Sequence, residues 1–324
     1  MRAVAIEYPE RGRMQLVDLG EPQAQLAPTE ILLRTHYSGI TNGTERHALL
    51  GEHGFTLFPS RHGYQQVGQV EAIGAEVKDF ASGDWVFLGQ YVGHRSWNVV
   101  DLASADPHSY SSHLCLKLPA AVDPRLCALF GVAGVAMRAV RRFRIQPAQR
   151  VWVVGAGVIG QFAAQCARAF GAHVTVSDVL PARLEVACKC GAHRVVHAEK
   201  DGWQALAEGA PYDRIIDCSG YGALLQHIHE RRLLAPAGVV GLVAVRSQTT
   251  FPWAMLHGTE ASIEVSCHFS LDDLRVLLHF VREGIIHVAP VISHIVPVSE
   301  APTIYETLCD RPGELLGVIF HWSG

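Results

Sequence analysis

Residues 151–160 restrict the fold of this chain more than any other segment. Residues 151–154 form a short apolar run typical of a buried strand, and Gly155, Gly157 and Gly160 follow with G-x-G-x-x-G spacing. A helix-forming segment, 161–170, comes next and ends before Gly171. A strand that turns through such glycines into a helix is the first half of a βαβ unit, which requires a parallel sheet.

Each glycine of this loop has its own role at a dinucleotide site. Gly155 permits the tight turn, Gly157 lets the backbone approach a pyrophosphate, and Gly160 lets the helix pack close to the strand. The pyrophosphate would lie on the N–H groups at the helix N-terminus. A structural βα turn without a nucleotide is the alternative, because glycine-rich turns are common. The predicted site residues of the loop are Gly155, Ala156, Gly157, Val158, Ile159 and Gly160.

The end of the next strand predicts which nicotinamide cofactor is bound. Asp178 follows the apolar segment 174–177, about 20 residues beyond the glycines. A carboxylate there accepts the adenosine ribose hydroxyls and repels a 2′-phosphate, which favours NAD(H) over NADP(H). Arg183 could instead reach such a phosphate, or it could be a solvated helix residue. Ser219 and Val243 complete the predicted cofactor-binding residues.

The strand and helix pattern changes along the chain. Short strands are predicted at 2–7, 14–18, 31–36, 65–73, 85–88 and 112–118, as in a β-barrel or sandwich. From Asp123, a predicted N-cap followed by Pro124, strands at 151–154, 174–177, 214–217 and 239–245 alternate with helices. A helix at 271–283 and strands at 292–296 and 316–320 follow. We therefore predict an α/β protein in which a doubly wound domain, 126–267, is inserted into a β-rich domain built from 1–125 and 268–324.

Composition excludes several classes of partner. The net charge is −4 and no basic stripe is present, so we expect no nucleic acid. None of the eight cysteines forms a C-x-x-C pair, which indicates reduced thiols and a cytoplasmic location. The longest apolar run, 235–245, is about half a membrane span, and the N-terminus has no signal-peptide pattern. We expect a soluble protein that acts on a small molecule.

Several short motifs together resemble the medium-chain dehydrogenase/reductase superfamily across essentially the whole chain. Their order and spacing are more specific than any one of them. The resemblance implies a GroES-like catalytic domain, a Rossmann domain and a homodimer. The motifs are Ser38-Gly39-Ile40, Gly63 to Gly68, Gly83-Asp84-Trp85-Val86, the glycine loop and Ile292-Ser293-His294.

The resemblance breaks at the metal sites. Zinc-dependent members carry Cys, then Gly-His-Glu, then a third ligand before the Rossmann strand. Here Thr41 or Asn42, then Tyr64 with Gln65, and Gly131 stand in those places, and none is a good zinc ligand. The four-cysteine lobe of the structural zinc is also missing. We therefore predict no zinc at either site.

Two motifs are closest to a zinc-free branch that includes the bacteriochlorophyllide a dehydrogenases. That branch carries Ser-Gly-Ile-x-x-Gly-Thr-Glu-Arg and Gly-Tyr-x-x-Val-Gly, which match residues 38–46 and 63–68. The first motif is also similar to that of sugar and cyclitol dehydrogenases. The resemblance supports the branch and does not identify a substrate.

Without a metal, alcohol oxidation depends on hydrogen bonding and general acid–base groups. The resemblance makes Thr44 and His47 candidates for a proton relay, with Glu45 orienting the substrate and Tyr64 pointing at its oxygen. Each has an alternative: Thr44 as the N-cap of a helix at 45–50, His47 as one of 18 incidental histidines, Glu45 in a structural ion pair, and Tyr64 as packing.

The function predicted from these residues is an NAD(H)-dependent, zinc-independent interconversion of a secondary alcohol and a ketone on a ring-bearing metabolite. A zinc-free enone or quinone reductase is the second possibility, and a non-catalytic nucleotide-binding protein with the same fold is the third. Arg138 could bind an acidic substrate group or be a surface residue, and His62, His94 and His268 are assigned no role.

Overall fold

The computed structural model describes residues 2–23, 25–52, 56–104, 114–199 and 202–322. The chain forms two compact units. The first unit consists of Met1–Val132, Ser270–Arg275 and Ile292–Gly324, and the second of Ala133–Phe269 and Val276–Val291. The β-rich first unit is therefore built from both ends of the chain.

The division differs from the predicted domain boundaries at two places. Residues 126–132, predicted to open the doubly wound domain, belong to the first unit, where the backbone N–H of Val132 donates to Gln65 Oε1 at 3.0 Å. Residues 276–291, predicted to lie in the β-rich domain, belong to the second unit. There, Gln165 exchanges two hydrogen bonds with the backbone of His287, at 3.1 and 2.7 Å.

The strands and helices follow each other in an order that separates the two units. The strands are β1 (Ala3–Glu10), β2 (Arg13–Gly20), β3 (Glu30–Gly39), β4 (Gln66–Ile73), β5 (Trp85–Leu88), β6 (Trp97–Asp101), β7 (Cys115–Lys117), β8 (Arg150–Val154), β9 (His173–Asp178), β10 (Arg194–His197), β11 (Tyr212–Asp217), β12 (Leu234–Leu242), β13 (Ser262–Val265), β14 (Ile292–Pro297) and β15 (Gly317–His321). The α-helices are α1 (Asn42–Leu49), α2 (Pro124–Cys127), α3 (Phe130–Arg142), α4 (Val158–Ala169), α5 (Pro181–Lys189), α6 (Gly202–Glu208), α7 (Leu224–Glu230), α8 (Trp253–His257), α9 (Leu271–Arg282) and α10 (Ala301–Asp310).

The second unit contains a six-stranded sheet in which every pairing is parallel. Its strand order is β10-β9-β8-β11-β12-β13, so the chain runs outward in one direction from β8 and in the other from β11. Val154 on β8 lies between Ser177 on β9 and Asp217 on β11. This is the Rossmann order, and ligands bind at the carboxyl ends of the strands where the order reverses.

The first unit is mainly antiparallel, as expected of a GroES-like domain. Its larger sheet has seven strands in the order β14-β15-β3-β4-β5-β7, with β6 also paired to β3. Strands β1 and β2 form a separate hairpin. A buried cluster that includes Ile6, Ile40, Leu49 and Phe320 holds α1 against the C-terminal strand.

Agreement with the predicted elements depends on local signals. Strand 85–88 and helix 181–189 have the predicted bounds. The single helix expected after Asp123 is two helices, α2 and α3, while β6, β10, β13 and α10 were not predicted. Part of the predicted strand 112–118 lies outside the described residues. Among the residues that the structure describes, no helix is long and apolar enough to cross a membrane.

Candidate functional site

The glycine loop of the second unit has the backbone that the sequence predicted. Gly155 adopts a φ of +89°, in the left-handed region that favours glycine, and its N–H donates to the carbonyl of Ser177 at 2.8 Å. Gly157 is the N-cap residue of the 12-residue helix α4. The first N–H groups of α4 have no partners within the helix, which is the arrangement that binds a phosphate.

Gly157 and Gly160 have opposite surroundings. A Cβ on Gly160 would lie 1.8 Å from the carbonyl oxygen of Gly155, so the close packing of helix on strand requires glycine there. A Cβ on Gly157 would meet no atom within 4 Å. The space above Gly157 is therefore open, as a pyrophosphate lying against the backbone requires.

Asp178 is the carboxylate nearest the loop. Its Oδ2 accepts the N–H of Ala156 at 2.6 Å and its Oδ1 accepts the N–H of Leu180 at 2.9 Å. Arg183 Nη1 lies 4.0 Å from Asp178 Oδ2. A carboxylate has about four lone-pair sites, so these bonds leave acceptor capacity for hydroxyls.

A cavity of about 650 Å³ opens at this edge of the sheet. Half of the predicted cofactor residues line it: Gly155, Gly157, Asp178, Arg183 and Ser219. Ala156 and Gly160 are buried in the turn, Val158 and Ile159 begin α4, and Val243 donates its N–H to the carbonyl of Asp217 at 3.0 Å. Sequence reasoning missed further lining residues, among them Val179, Trp203 and Tyr221. Val179 and Tyr221 follow the ends of β9 and β11, a position that could have identified them.

A buried ion pair that the sequence did not reveal holds the loops after β11 and β12. Asp217 is fully buried, and its Oδ1 accepts the N–H of Ser219 at 2.9 Å, the N–H of Gly220 at 3.0 Å and the Ser219 hydroxyl at 2.8 Å. Its Oδ2 accepts from Arg246 Nη2 at 2.5 Å. Asp217 thereby fixes Ser219 beside the cavity.

In the first unit, the residues that replace the zinc ligands lie together. Gln65 donates from Nε2 to Thr41 Oγ1 at 3.4 Å and accepts the N–H of Val132 at 3.0 Å. A Cβ on Gly131 would lie 2.7 Å from Gln65 Cβ and 2.9 Å from Tyr64 Cε2. The Tyr64 ring is buried, with its centroid 4.8 Å from that of Tyr91.

This cluster does not fit zinc. It offers a hydroxyl, a neutral amide and a phenol, whereas zinc is bound by thiolate, imidazole or carboxylate. Within the described ranges there is no group of three or more His, Cys, Asp or Glu side chains able to hold a metal ion. We therefore assign no step of the reaction to zinc.

Glu45, predicted as a candidate catalytic residue, lies in the core of the first unit. It is 1% exposed, and its Oε1 accepts the N–H of Thr41 at 2.7 Å. Its Oε2 accepts from His94 Nε2 at 3.0 Å and from the Tyr305 hydroxyl at 2.5 Å. The other ring nitrogen of His94 lies 2.9 Å from the hydroxyl of Ser38. This arrangement matches the structural ion pair considered for Glu45.

The charge of Glu45 is stabilised despite its burial. Desolvation alone would raise the pKa of Glu45, but the charge of His94 and the hydrogen bonds from His94, Thr41 and Tyr305 hold that pKa below its usual value. Burial and the Glu45 charge raise the pKa of Tyr305 well above its usual value, so its hydroxyl remains a donor.

Thr44 and His47 lie on α1. Because α1 spans Asn42–Leu49 with Thr41 as its N-cap residue, the alternative in which Thr44 caps the helix is wrong. His47 is part-exposed and its Nδ1 pairs with the Glu52 carboxylate. The structure thus gathers Tyr64 with Thr41 and Gln65, and places Glu45 and the His47–Glu52 pair apart from that cluster. The roles of Thr44, His47 and Tyr64 in proton transfer stay predictions.

Comparison with known families accounts for both units. Residues 27–141 match the family described as Alcohol dehydrogenase GroES-like domain, and residues 158–283 match the family described as Zinc-binding dehydrogenase. The chain belongs to the medium-chain dehydrogenase/reductase superfamily. It is therefore an oxidoreductase, as the sequence predicted, although it carries neither the Cys nor the Gly-His-Glu of the superfamily's zinc-dependent members.

Relatives within the superfamily include enzymes named for sugars and sugar acids. A probable D-xylulose reductase A from Arthroderma otae is 29% identical, with 86% of each chain covered. An L-galactonate-5-dehydrogenase from Escherichia coli is 28% identical, covering 90% of this chain and 91% of the relative. The fold is similar to that of an Escherichia coli oxidoreductase/dehydrogenase of unknown specificity, with a TM-score of 0.87, 18% identity and full coverage of both chains.

Alanine substitutions at two loop glycines should separate folding from binding. Gly160→Ala should lower the free energy of unfolding by about 1–3 kcal/mol, because its methyl group meets backbone. Gly157→Ala should leave stability within about 0.5 kcal/mol and weaken NADH binding at least about tenfold, because its methyl group takes the space of the pyrophosphate. Urea denaturation and calorimetric titration measure the two effects. Equal NADH affinity for Gly157→Ala and the wild type would contradict this assignment.

Removing the Glu45 carboxylate should destabilise the protein. Glu45→Ala leaves the buried His94 and Tyr305 without their acceptor, and we expect a loss of about 3–5 kcal/mol in urea denaturation at neutral pH. Glu52→Ala, which removes an exposed carboxylate, is the control and should cost less than about 1 kcal/mol. Because the folded pKa of Glu45 is lowered, its contribution is present above its ordinary pKa of 4.5 and is lost as the pH falls through the folded value. A stable Glu45→Ala protein without activity would favour the catalytic alternative.

Proposed function

We propose that the protein is an NAD(H)-dependent oxidoreductase that interconverts a secondary alcohol and a ketone on a small polyhydroxylated metabolite, without zinc. The observation that carries the proposal is the Asp178 carboxylate at the edge of the cavity, beside the open space over Gly157. The relatives' names support a sugar-derived substrate in place of the ring-bearing metabolite predicted from the sequence.

The residues of the second unit fit a nicotinamide dinucleotide. The N-terminus of α4 and Gly157 would hold the pyrophosphate, and Asp178 would accept the adenosine ribose hydroxyls. Arg183, 4.0 Å from Asp178, is directed to a carboxylate that would itself repel a 2′-phosphate. The bound cofactor supplies the site that accepts or delivers hydride.

The proton that accompanies hydride transfer must be managed by this chain's own groups. Thr44 and Tyr64 carry the candidate hydroxyls, and we propose His47 as the end of a relay. The buried Tyr64 phenol stands in the place of a metal ligand and would donate a hydrogen bond to the substrate oxygen. We leave Glu45 out of the chemistry, because its carboxylate is bonded to Thr41, His94 and Tyr305.

We also propose that the protein is a homodimer. Within the described residues β13 is an edge strand of the parallel sheet, and its Val265 is 59% exposed. An exposed apolar residue on an edge strand is a feature that association with a second copy would cover.

Turnover assays test the reaction class. The protein, purified without added metal, should reduce NAD⁺ with at least one polyol among xylitol, sorbitol and L-galactonate, and a strong chelator should leave the rate unchanged. Well under one zinc per chain should be found by elemental analysis. Loss of the rate on chelation, restored by zinc, would overturn the zinc-free proposal. NADH oxidation with quinones or enones alone would favour the second possibility, and tight NADH binding without any turnover would favour the third.

Asp178 should determine cofactor choice. NADH should bind at least about tenfold more tightly than NADPH, because a charge-assisted hydrogen bond contributes about 1.5–3 kcal/mol. Asp178→Ser should narrow this difference. Since Asp178 also accepts the N–H of Ala156, the melting temperature of the variant must be measured beside the two titrations. Tighter binding of NADPH by the wild-type protein would contradict the proposed cofactor.

A further inference from the structure

His268 is a buried histidine at the carboxyl end of the parallel sheet that the proposed mechanism does not use. It lies three residues beyond the end of β13 at Val265 and is 8% exposed. Ser266 between them donates its N–H to the carbonyl of Leu242, so this segment continues from β12 along the same edge of the sheet.

The position of His268 relates it to one half of a dinucleotide. In this fold each half of the sheet binds one mononucleotide, and the cofactor crosses the edge where the strand order reverses. Asp178 ends β9 in the half built from β8, β9 and β10, which we assign to the adenosine. His268 follows β13 in the half built from β11, β12 and β13, which leaves it on the side of the nicotinamide and of any substrate bound beside it.

The backbone and the ring of His268 are both tightly constrained. Its φ of +57° lies in the left-handed region, which costs a residue with a side chain about 1–2 kcal/mol and is found at functional sites more often than elsewhere. The imidazole stacks on the buried ring of Phe269, with centroids 4.4 Å apart and planes 21° apart. A histidine held in this way is oriented before any ligand arrives.

His268 is uncharged at neutral pH. Burial, with the nearby positive charge of Arg138, lowers the pKa of His268 to about 4, while a hydrogen bond with the Phe269 backbone acts in the opposite direction. A bond that raises the pKa of a histidine is one in which the ring donates. A neutral imidazole has one N–H and one lone-pair nitrogen, so a ligand would meet the lone pair.

We propose that His268 is a ligand-contacting residue whose neutral imidazole accepts a hydrogen bond from an N–H or O–H donor at the nicotinamide half of the site. This inference rests on the proposed function. Two groups have that chemistry, the amide N–H of the nicotinamide and a hydroxyl of the polyol substrate. Either would be discriminated from a ligand that lacks the donor.

Two substitutions separate the side chain from its backbone conformation. His268→Gly removes the imidazole and relieves the positive φ. His268→Asn keeps a residue that tolerates this φ and provides an amide oxygen as acceptor. Glu260→Gly is the matched control, because exposed Glu260 in the same unit has a φ of +52° and does not line the cavity. All variants are compared by melting temperature before any binding measurement.

The experiment measures the Kd of NADH and of ADP-ribose by calorimetric titration, and the KM of the polyol that gives the highest turnover in the panel above. If the donor is the nicotinamide amide, His268→Gly raises the Kd of NADH about fivefold to tenfold and leaves the Kd of ADP-ribose unchanged. If the donor is a substrate hydroxyl, both Kd values stay unchanged and the KM rises by a similar factor. His268→Asn recovers part of the loss in either case, and Glu260→Gly behaves as the wild type.

Three results would overturn the inference: equal weakening of NADH and ADP-ribose, no change in any of the three constants, or a His268→Asn variant no better than His268→Gly. A wild-type protein that binds neither nucleotide would defeat the proposed function and the inference with it. A wild type that binds both, with His268→Gly indistinguishable from it, would defeat the inference alone.

Discussion

The burial of one carboxylate organises the first unit. Glu45 cannot remain charged in the core without partners, because an unpaired buried charge costs several kcal/mol. Its partners come from the start of α1, from His94 in the loop before β6 and from Tyr305 on α10, near the end of the chain. The hydroxyl of Ser38 extends the network, because it accepts from Trp322 Nε1 at 2.9 Å and lies 2.9 Å from His94 Nδ1. Satisfying one side chain thus ties both ends of the chain together around α1 and Tyr64.

In the second unit a carboxylate has a comparable part in the loop. Asp178 holds the N–H of Ala156, so the side chain proposed to bind the ribose also orders the glycine turn before a ligand arrives. Asp217 does the same for the loop after β11, where its charge is balanced by Arg246. A site prepared in this way loses less conformational entropy when it binds.

The first unit keeps the positions of a metal site and changes their chemistry. Thr41, Tyr64, Gln65 and Gly131 lie together, and the Gln65 amide satisfies both Thr41 and the backbone of Val132. No cationic centre is formed by these four residues, so polarisation of a substrate oxygen there depends on hydrogen-bond donors. The protein therefore belongs to a superfamily with zinc-dependent members and has residues at those positions that suit different chemistry.

The sequence by itself determined the parallel sheet, the glycine loop and the acidic residue at the end of β9. Those signals are local: the spacing of Gly155, Gly157 and Gly160 reflects steric requirements within a single turn. It did not determine the surroundings of Glu45, whose bonds to His94 and Tyr305 span 49 and 260 residues of the chain. The Asp217–Arg246 pair, the seating of residues 276–291 on the second unit and the burial of His268 were also decided only by the tertiary structure. The physical reason is that charge satisfaction and burial depend on which distant segments meet, and no spacing within one segment records that.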